Sequence, residues 1–534
     1  VEPTVIVSGL PTAGVNHDGG ALAFGPDGKL YWAIGDLGVG VGINEDLTLL
    51  ASKVGRVNRD GSVPADNPFN DGAGPNEDRI WARGFRNPFT MTFRPSTGAL
   101  WLDVVGTSLE QVFVVKKGDH GGWATYEYFQ PAGFIEPVIS YYTNTNYVFG
   151  IAADGAVRRG GTTTFTTTTR HWLHPGERMT IQGVTDPSFN GVAFVSSTPS
   201  TMTFTVEQPG PDAASGLGSA ATPVFGGCIT GGTFYDSTAA SAEYRGNFFF
   251  GDFNAGNLVR ARLSGETIRS VDTWATGLTR AVDMSVGADG DLYAATHGGL
   301  GPYRYRFRAT NQFLVVSRSN VWMLEDGVAA FDVRLSMAPT APVEVRVRLG
   351  ASASTLSITR GASLSFGPND WSTPKPVTIA STRDSDTADA IVDLSVAALD
   401  LPIETVHVRI IDEYAAVEPP EGGAGGEGGA AGKSGEGGEG GLNGNAGNDT
   451  GGATSGGTGA GARGGTAARG GAGGTAGTST GAGGEGGEAG EPSSAAQEEG
   501  SSNGGCGCST SRGHGGGAAI LALSLLLLRR RARR

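Results

Sequence analysis

The chain has 534 residues, enough for several domains, and 90 of them are glycine. Residues 421–500 alone hold 34 glycines, a density that excludes a packed core there; glycine in the rest of the chain suits tight turns and argues against a helical bundle or coiled coil. The net charge of −14 sits on the body of the chain, repels phosphates and excludes a general nucleic-acid binder, which the short basic C-terminal tip does not reverse.

Residues 1–310 hold short β-patterned runs separated by Gly, Asp, Asn and Pro. Ala21–Asp36 (ALAFGPDGKLYWAIGD), Met91–Val104 (MTFRPSTGALWLDV) and Val282–His297 (VDMSVGADGDLYAATH) each read as strand, glycine turn, strand. Asn247–Leu263 is a fourth such unit. These turns supply the positive φ angles that a hairpin needs. Hairpins recurring at blade-like intervals predict an all-β fold with a β-propeller. No amphipathic helix separates the strands, which disfavours a parallel α/β sheet.

Residues 160–222 interrupt the pattern. A threonine-rich run at 162–169, turn signals at Asp186-Pro187 and Asn190-Gly191, and MTFTVEQ at 202–208 predict a small inserted β-barrel. It resembles modules of phage-tail and surface proteins. Residues 311–415 alternate apolar and polar positions (FDVRLS, VEVRVRLG, KPVTIAS, VHVRIID), the pattern of a β-sandwich. Residues 416–505 form a glycine-rich linker, expected to be disordered because it cannot bury enough apolar area to offset chain entropy.

Residues 506–534 form a tail: Cys506 and Cys508, the apolar run Ala518–Leu528, then RRRARR. The run is short for a bilayer, which takes about 20 residues, and arginines after it mark a cytoplasmic side. With Cys228 alone, the three cysteines make neither a disulfide framework nor a four-ligand zinc site; Cys228 reads as a small buried hydrophobe. The chain starts at Val1 without a signal-peptide pattern, as expected of a mature form or a fragment.

Two segments carry candidate chemistry. Asn16-His17-Asp18-Gly19-Gly20 precedes the first hairpin, so His17 falls at the start of an inner blade strand, near the propeller axis. An imidazole there can take a proton from an alcohol. Taken alone, a histidine in a glycine-rich turn also fits a structural role. Arg86-Asn87-Pro88 precedes the next apolar strand. Arginine offers a rigid fork for carboxylates and asparagine both donor and acceptor, as a polyanionic cofactor requires; an inter-blade salt bridge is the alternative.

Taken together, NHDGGALAFGPDGKLYWAIGD, KVGRVNRDGSVPADNPF, IWARGFRNPF, GGW at 121–123, ITGGTFY and NFFFGDF, in this order, resemble the glucose/sorbosone dehydrogenase family, over residues 1–158 and 225–308. The resemblance implies a six-bladed propeller, here with about four visible blade units, and oxidation of an aldose at C1 to the lactone by hydride transfer to pyrroloquinoline quinone (PQQ), aided by Ca²⁺. Carried over, His17 is the catalytic base, Arg86 and Asn87 contact the cofactor, and Arg280 matches a later cofactor-contacting arginine. Glu110 and Gln111 fall near the calcium site. The sequence departs from the family at Asn16, at Gln111 in place of an acid, at Gly121 in place of a tyrosine and at Asn254 in place of a lysine. The family also contains propellers that bind rather than catalyse, so a non-catalytic carbohydrate- or protein-binding surface propeller is the alternative.

Two further resemblances concern the C-terminal half. LEDGVAAFDVRLS with SLSFGPNDWSTPKPVTIA resembles Calx-β domains, some of which bind calcium through acidic loops; Glu325, Asp384, Asp386 and Asp412 occupy such positions, where solvated loop acids are the alternative. The tail resembles the myxobacterial C-terminal sorting signal, implying export, processing or lipidation near the cysteines, and membrane attachment at the cell envelope. The electron acceptor is not legible.

Overall fold

The computed structural model describes residues 3–12, 16–39, 42–298, 301–350 and 355–412; the linker and tail expectations, and the end of the sandwich range, lie outside them. Among the described residues the chain is all-β, with one short 3-10 helix, Pro187–Phe189, and no helix long and apolar enough to cross a membrane.

Four antiparallel meanders form the blades. The first runs Leu22–Phe24, Leu30–Ile34, Lys53–Val57, Ile80–Arg83; the second Pro88–Phe93, Leu100–Val104, Leu109–Val115, Ile139–Tyr142. The third runs Ile229–Phe234, Phe248–Asp252, Asn257–Ser264, Thr267–Thr276, and the fourth has three strands, Ala281–Val286, Leu292–Thr296 and Tyr303–Tyr305. The first strands of successive blades pack side by side. Six blades were implied; the described residues supply these four.

The internal repeat has a physical basis. In the first blade, Asp27 accepts from Tyr31 Oη (2.9 Å) and from Arg56 Nε (3.0 Å) on the third strand. In the fourth, Asp289 accepts from Tyr293 Oη (2.7 Å) and from Arg304 Nη2 (2.6 Å) on the third strand. Each hairpin thus carries one acid that ties turn, second strand and third strand, while Gly28 and Gly290 adopt the positive φ of the turn (70° and 78°). Between the second and third blades the core is aromatic: Trp101 meets Phe234 edge-on, with ring centres 5.0 Å apart.

Every first strand begins at one end of the propeller and every first hairpin turn lies at the other. The inserted module leaves after Tyr142 and returns before Ile229, so it stands at the end where the first strands begin. Its six strands Val148–Arg159, Thr162–Thr167, Thr203–Glu207, Gly191–Ser200, Arg178–Gln182 and Ser219–Ala221 close on themselves as a barrel. The barrel starts earlier than residue 160, because Val148–Arg159 is long enough to pair with both Thr162–Thr167 and Ser219–Ala221.

The last described region has a four-stranded and a five-stranded sheet sharing one core that includes Phe331, Val345, Ile379 and Val408. It docks on the turn end. Trp322 Nε1 donates to Pro95 O (2.6 Å), Arg334 Nε to Asp289 O (2.7 Å), and Asp236 accepts from the Asn320 backbone and side chain (2.8 and 2.9 Å). The opposite end is left to the candidate chemistry. Cys228, at the start of the third blade's first strand, is fully buried as expected, but it is disulfide-bonded rather than a free thiol.

Candidate functional site

His17 enters the first blade with φ +55°, a region that costs a non-glycine residue about 1–2 kcal/mol. What holds it there is Asp36, at the end of the next strand: His17 Nδ1 and Asp36 Oδ1 lie 2.6 Å apart, both side chains buried. Gly35 permits this approach, since a Cβ there would lie 2.2 Å from His17 O and 2.7 Å from Arg86 O. Asp36 also accepts from Gly38 N (2.9 Å) and, through Oδ2, from Trp123 Nε1 (2.7 Å). Burial opposes its ionisation, but the hydrogen bonds from His17, Gly38 and Trp123 outweigh that and hold its carboxyl below the usual carboxylate range.

An ionised Asp36 fixes the imidazole with its proton on Nδ1. Nε2 then carries the lone pair, and it is buried without a hydrogen-bond partner. A neutral imidazole oriented by a carboxylate, with its second nitrogen open, is a proton acceptor for a hydroxyl.

Arg86 and Asn87 stand beside this pair. Arg86 O accepts from Asp36 N (2.7 Å), the Arg86 guanidinium lies 5.6 Å over the Trp123 ring, and Nη1 donates to Val105 O (3.2 Å). Asn87 Oδ1 accepts from Gly19 N (3.2 Å), two residues after His17. The structure therefore brings His17, Arg86 and Asn87 together. Arg280 lies at the same end, at the start of the fourth blade's first strand, exposed and with φ +55°. Asn254 donates through Nδ2 to Gly227 O (3.3 Å) and presents no charge.

The Glu110 and Gln111 side chains do not converge on one point. Successive strand positions point to opposite faces. Glu110 turns inward, accepting from Thr143 Oγ1 (3.0 Å) and Ile229 N (3.0 Å), whereas Gln111 Nε2 donates to Glu127 O (3.0 Å). Burial first, then the nearby Asp252 charge, pushes the Glu110 carboxyl up to about 8. Among the described residues, the acids that do converge are Glu325, Asp384 and Asp412, with ligand atoms within 4.8 Å of one another. Glu325 Oε2 there is buried without a hydrogen-bond partner. Asp386 stays outside the cluster, its Oδ1 taken by Ala388 N (2.8 Å).

Sequence reasoning missed Asp36 and Trp123. The signal for Asp36 was present: in the two most similar repeats, IGD of the first blade aligns with THG of the fourth, so Asp36 stands opposite Gly298 and departs from the repeat where His17 needs a partner. Trp123 lies far from both in sequence and shows no such signal.

Residues 2–134 match the family described as Glucose / Sorbosone dehydrogenase. Over 109 residues the chain is 36% identical to aldose sugar dehydrogenase YliI of Escherichia coli, covering 20% of this chain and 29% of that one. It is 31% identical over 140 residues to quinoprotein glucose dehydrogenase B of Acinetobacter calcoaceticus, covering 23% and 28%, and 32% identical over 144 residues to the HIPL1 protein of Arabidopsis thaliana, covering 23% and 20%. A solved glucose dehydrogenase superposes with TM-score 0.36 at 20% identity, over 55% of this chain and 65% of that one. The chain spans a fifth to a third of the length of the curated relatives it matches. The matched stretch, residues 2–134, carries His17, Asp36, Arg86, Asn87 and Trp123, and there the chain is similar to the glucose/sorbosone dehydrogenase family.

Proposed function

We propose that the protein is a PQQ-dependent dehydrogenase of the cell envelope that oxidises an aldose at C1 to the lactone. The observation that carries this reading is the buried, unpartnered Nε2 of His17, oriented by Asp36 beside a guanidinium. The residues present suit a tricarboxylated quinone. Arg86 and Asn87 would hold its anionic groups, with Arg280 at the rim. What bound PQQ supplies is a two-electron acceptor for the hydrogen leaving C1.

The chain's own part is proton chemistry. His17 Nε2 takes the proton of the C1 hydroxyl as that carbon becomes a carbonyl. The imidazolium formed is stabilised by the Asp36 carboxylate 2.6 Å away. Trp123 keeps that carboxylate from rotating and shields it from water. The two electrons leave finally to an external acceptor, for which a redox dye serves in assay.

The test is an absorbance titration of the full chain with PQQ, followed by aldose-dependent dye reduction. His17→Ala is expected to bind PQQ as the wild type does and to reduce no dye. Arg86→Ala is expected to weaken PQQ binding about tenfold to a hundredfold, the worth of a charge-assisted hydrogen bond. Absence of saturable binding at micromolar PQQ would remove the enzymatic reading in favour of a binding propeller.

We further propose that Glu325, Asp384 and Asp412 take a calcium ion. Burial and the adjoining Asp384 and Asp412 charges hold the Glu325 carboxyl above its usual range, a repulsion that a divalent cation relieves. Calcium at a hundredfold excess over Kd is expected to stabilise the region by about 3 kcal/mol. Differential scanning calorimetry with Ca²⁺ and with chelator checks this; Glu325→Gln should abolish the difference.

A further inference from the structure

Two loops meet beside the His17–Asp36 pair, and two side-chain contacts hold them together. One is the bond from Trp123 Nε1 to Asp36 Oδ2 (2.7 Å). The other joins His120, at the base of the turn that carries Trp123, to Glu45, on the loop that follows Asp36: His120 Nε2 lies 2.7 Å from Glu45 Oε1. The imidazole is enclosed. It is buried, Phe134 meets it edge-on with ring centres 4.7 Å apart, and its Nδ1 accepts from Gly122 N (3.0 Å). A Cβ at Gly84 would lie far inside van der Waals contact with Nδ1, and one at Gly121 would lie 2.6 Å from the Phe85 ring, so the turn closes on the imidazole only with glycine at both positions. Trp123 N, the next donor along the turn, bonds Gly84 O (3.1 Å).

These contacts fix one protonation state. A neutral imidazole carries one N–H and one lone pair. Gly122 N can only donate, so Nδ1 holds the lone pair and the proton sits on Nε2, facing the Glu45 carboxylate. The other charges around the ring belong to Arg83, whose Nη2 lies 3.7 Å from Glu45 Oε2, and to Lys53, whose Nζ donates to Ile43 O (2.9 Å) and Ala51 O (2.8 Å). Asp119 turns its carboxylate to Lys116 N (2.7 Å). Burial is the leading cause that holds His120 below its ordinary 6.5; Glu45 opposes it, and the Arg83 and Lys53 charges add to it. The neutral form therefore prevails near neutral pH.

Acid reverses this arrangement. A second proton must go on Nδ1, where it faces the Gly122 N–H, donor against donor, while Nε2 keeps Glu45. Gly122 must then turn away, and Trp123 is its neighbour in the chain. We infer that His120 is a positioning residue for Asp36, and that its protonation draws Trp123 off the Asp36 carboxylate and switches the His17–Asp36 pair off in acid. The effect on catalysis rests on the dehydrogenase reading above; the movement of Trp123 does not.

The test uses the full chain. By heteronuclear NMR, with the Trp123 indole signal assigned through Trp123→Phe, the protection factor of that N–H against hydrogen exchange is expected to fall about tenfold in the wild type between about pH 7.5 and about pH 5, the loss of one hydrogen bond. His120→Asn never ionises, and its Oδ1 can accept from Gly122 N, so there the protection should persist. His17 and Asp36 are present in both proteins, so the difference reports His120. His120→Leu offers Gly122 N no acceptor and should lack the protection at either pH. Circular dichroism confirms that each variant is folded. With PQQ and an aldose, dye reduction on the acid side should fall toward about a hundredfold per pH unit in the wild type, where His17 and His120 both take up protons, and about tenfold in His120→Asn. Unchanged protection in the wild type, or the same pH response in the wild type and His120→Asn, would overturn the inference. If Trp123 responds through His120 but no aldose is oxidised, the coupling stands and the dehydrogenase reading falls; if aldose is oxidised with one pH profile in both proteins and Trp123 stays protected, the coupling alone falls.

Discussion

Asp36→Asn is expected to lower kcat for aldose oxidation by about 10³- to 10⁴-fold, with PQQ affinity nearly unchanged. The reason lies in the three donors around this carboxylate. Gly38 N and Trp123 Nε1 can only donate, and His17 must donate from Nδ1 if Nε2 is to act as a base. An asparagine has one acceptor oxygen. If it faces Trp123, its NH₂ faces His17 and forces the tautomer protonated at Nε2, which cannot accept a proton. If it faces His17, its NH₂ meets the indole N–H, and the charge that stabilises the imidazolium is gone. Steady-state dye reduction measures the effect, and the His17→Ala/Asp36→Asn double variant should be no worse than His17→Ala, because the two residues act as a unit. An Asp36→Asn enzyme within tenfold of the wild type would show that the pair is structural.

This dyad also marks where sequence reasoning reaches its limit. The blades were legible because their hairpins repeat an acid, a glycine and a tyrosine at fixed spacing, and the structure gives that spacing a cause in the Asp27–Tyr31–Arg56 and Asp289–Tyr293–Arg304 ties. His17, Arg86 and Asn87 were legible because each lies a few residues or fewer ahead of a first strand, and first strands converge. Side chains that converge from within strands or from long loops were not. Glu110 and Gln111 are neighbours in sequence, but the strand's two-residue period sends one into the core and the other toward Glu127. Trp123 reaches Asp36 from a loop 87 residues away, a contact set by how the first two blades pack. The barrel was recognised by its threonine-rich strands, but Val148–Arg159 was placed with the blades because its pairing partners come from both ends of the insert.

Raising the pH from about 4 to about 9 is expected to weaken the propeller through Glu110 and Asp103, with the largest change as each buried carboxyl ionises. Glu110 joins the second blade to Ile229 of the third, and Asp103 accepts from Thr90 Oγ1 (2.7 Å). Burial, which disfavours the anion, is the leading cause for both, pushing Glu110 up to about 8 and Asp103 up to about 7. Ordinary values for these groups are 4.5 and 3.8. Between the ordinary and the raised values the folded chain binds more protons than the unfolded one, so stability falls as pH rises. The favourable contribution is therefore fully present below about pH 4 and is lost as pH passes 7 and then 8. Each group accounts for a change on the order of 5 kcal/mol over its window. Glu110→Gln isolates one of them, since the amide can still accept from Ile229 N and donate to Thr143 Oγ1 without ever ionising. The Tm of the wild type should fall relative to that of Glu110→Gln by about 10 °C between pH 5 and pH 9, measured by calorimetry in matched buffers. Parallel curves for the two proteins would mean that the Glu110 carboxyl ionises near its ordinary value and that water reaches the seam between the second and third blades.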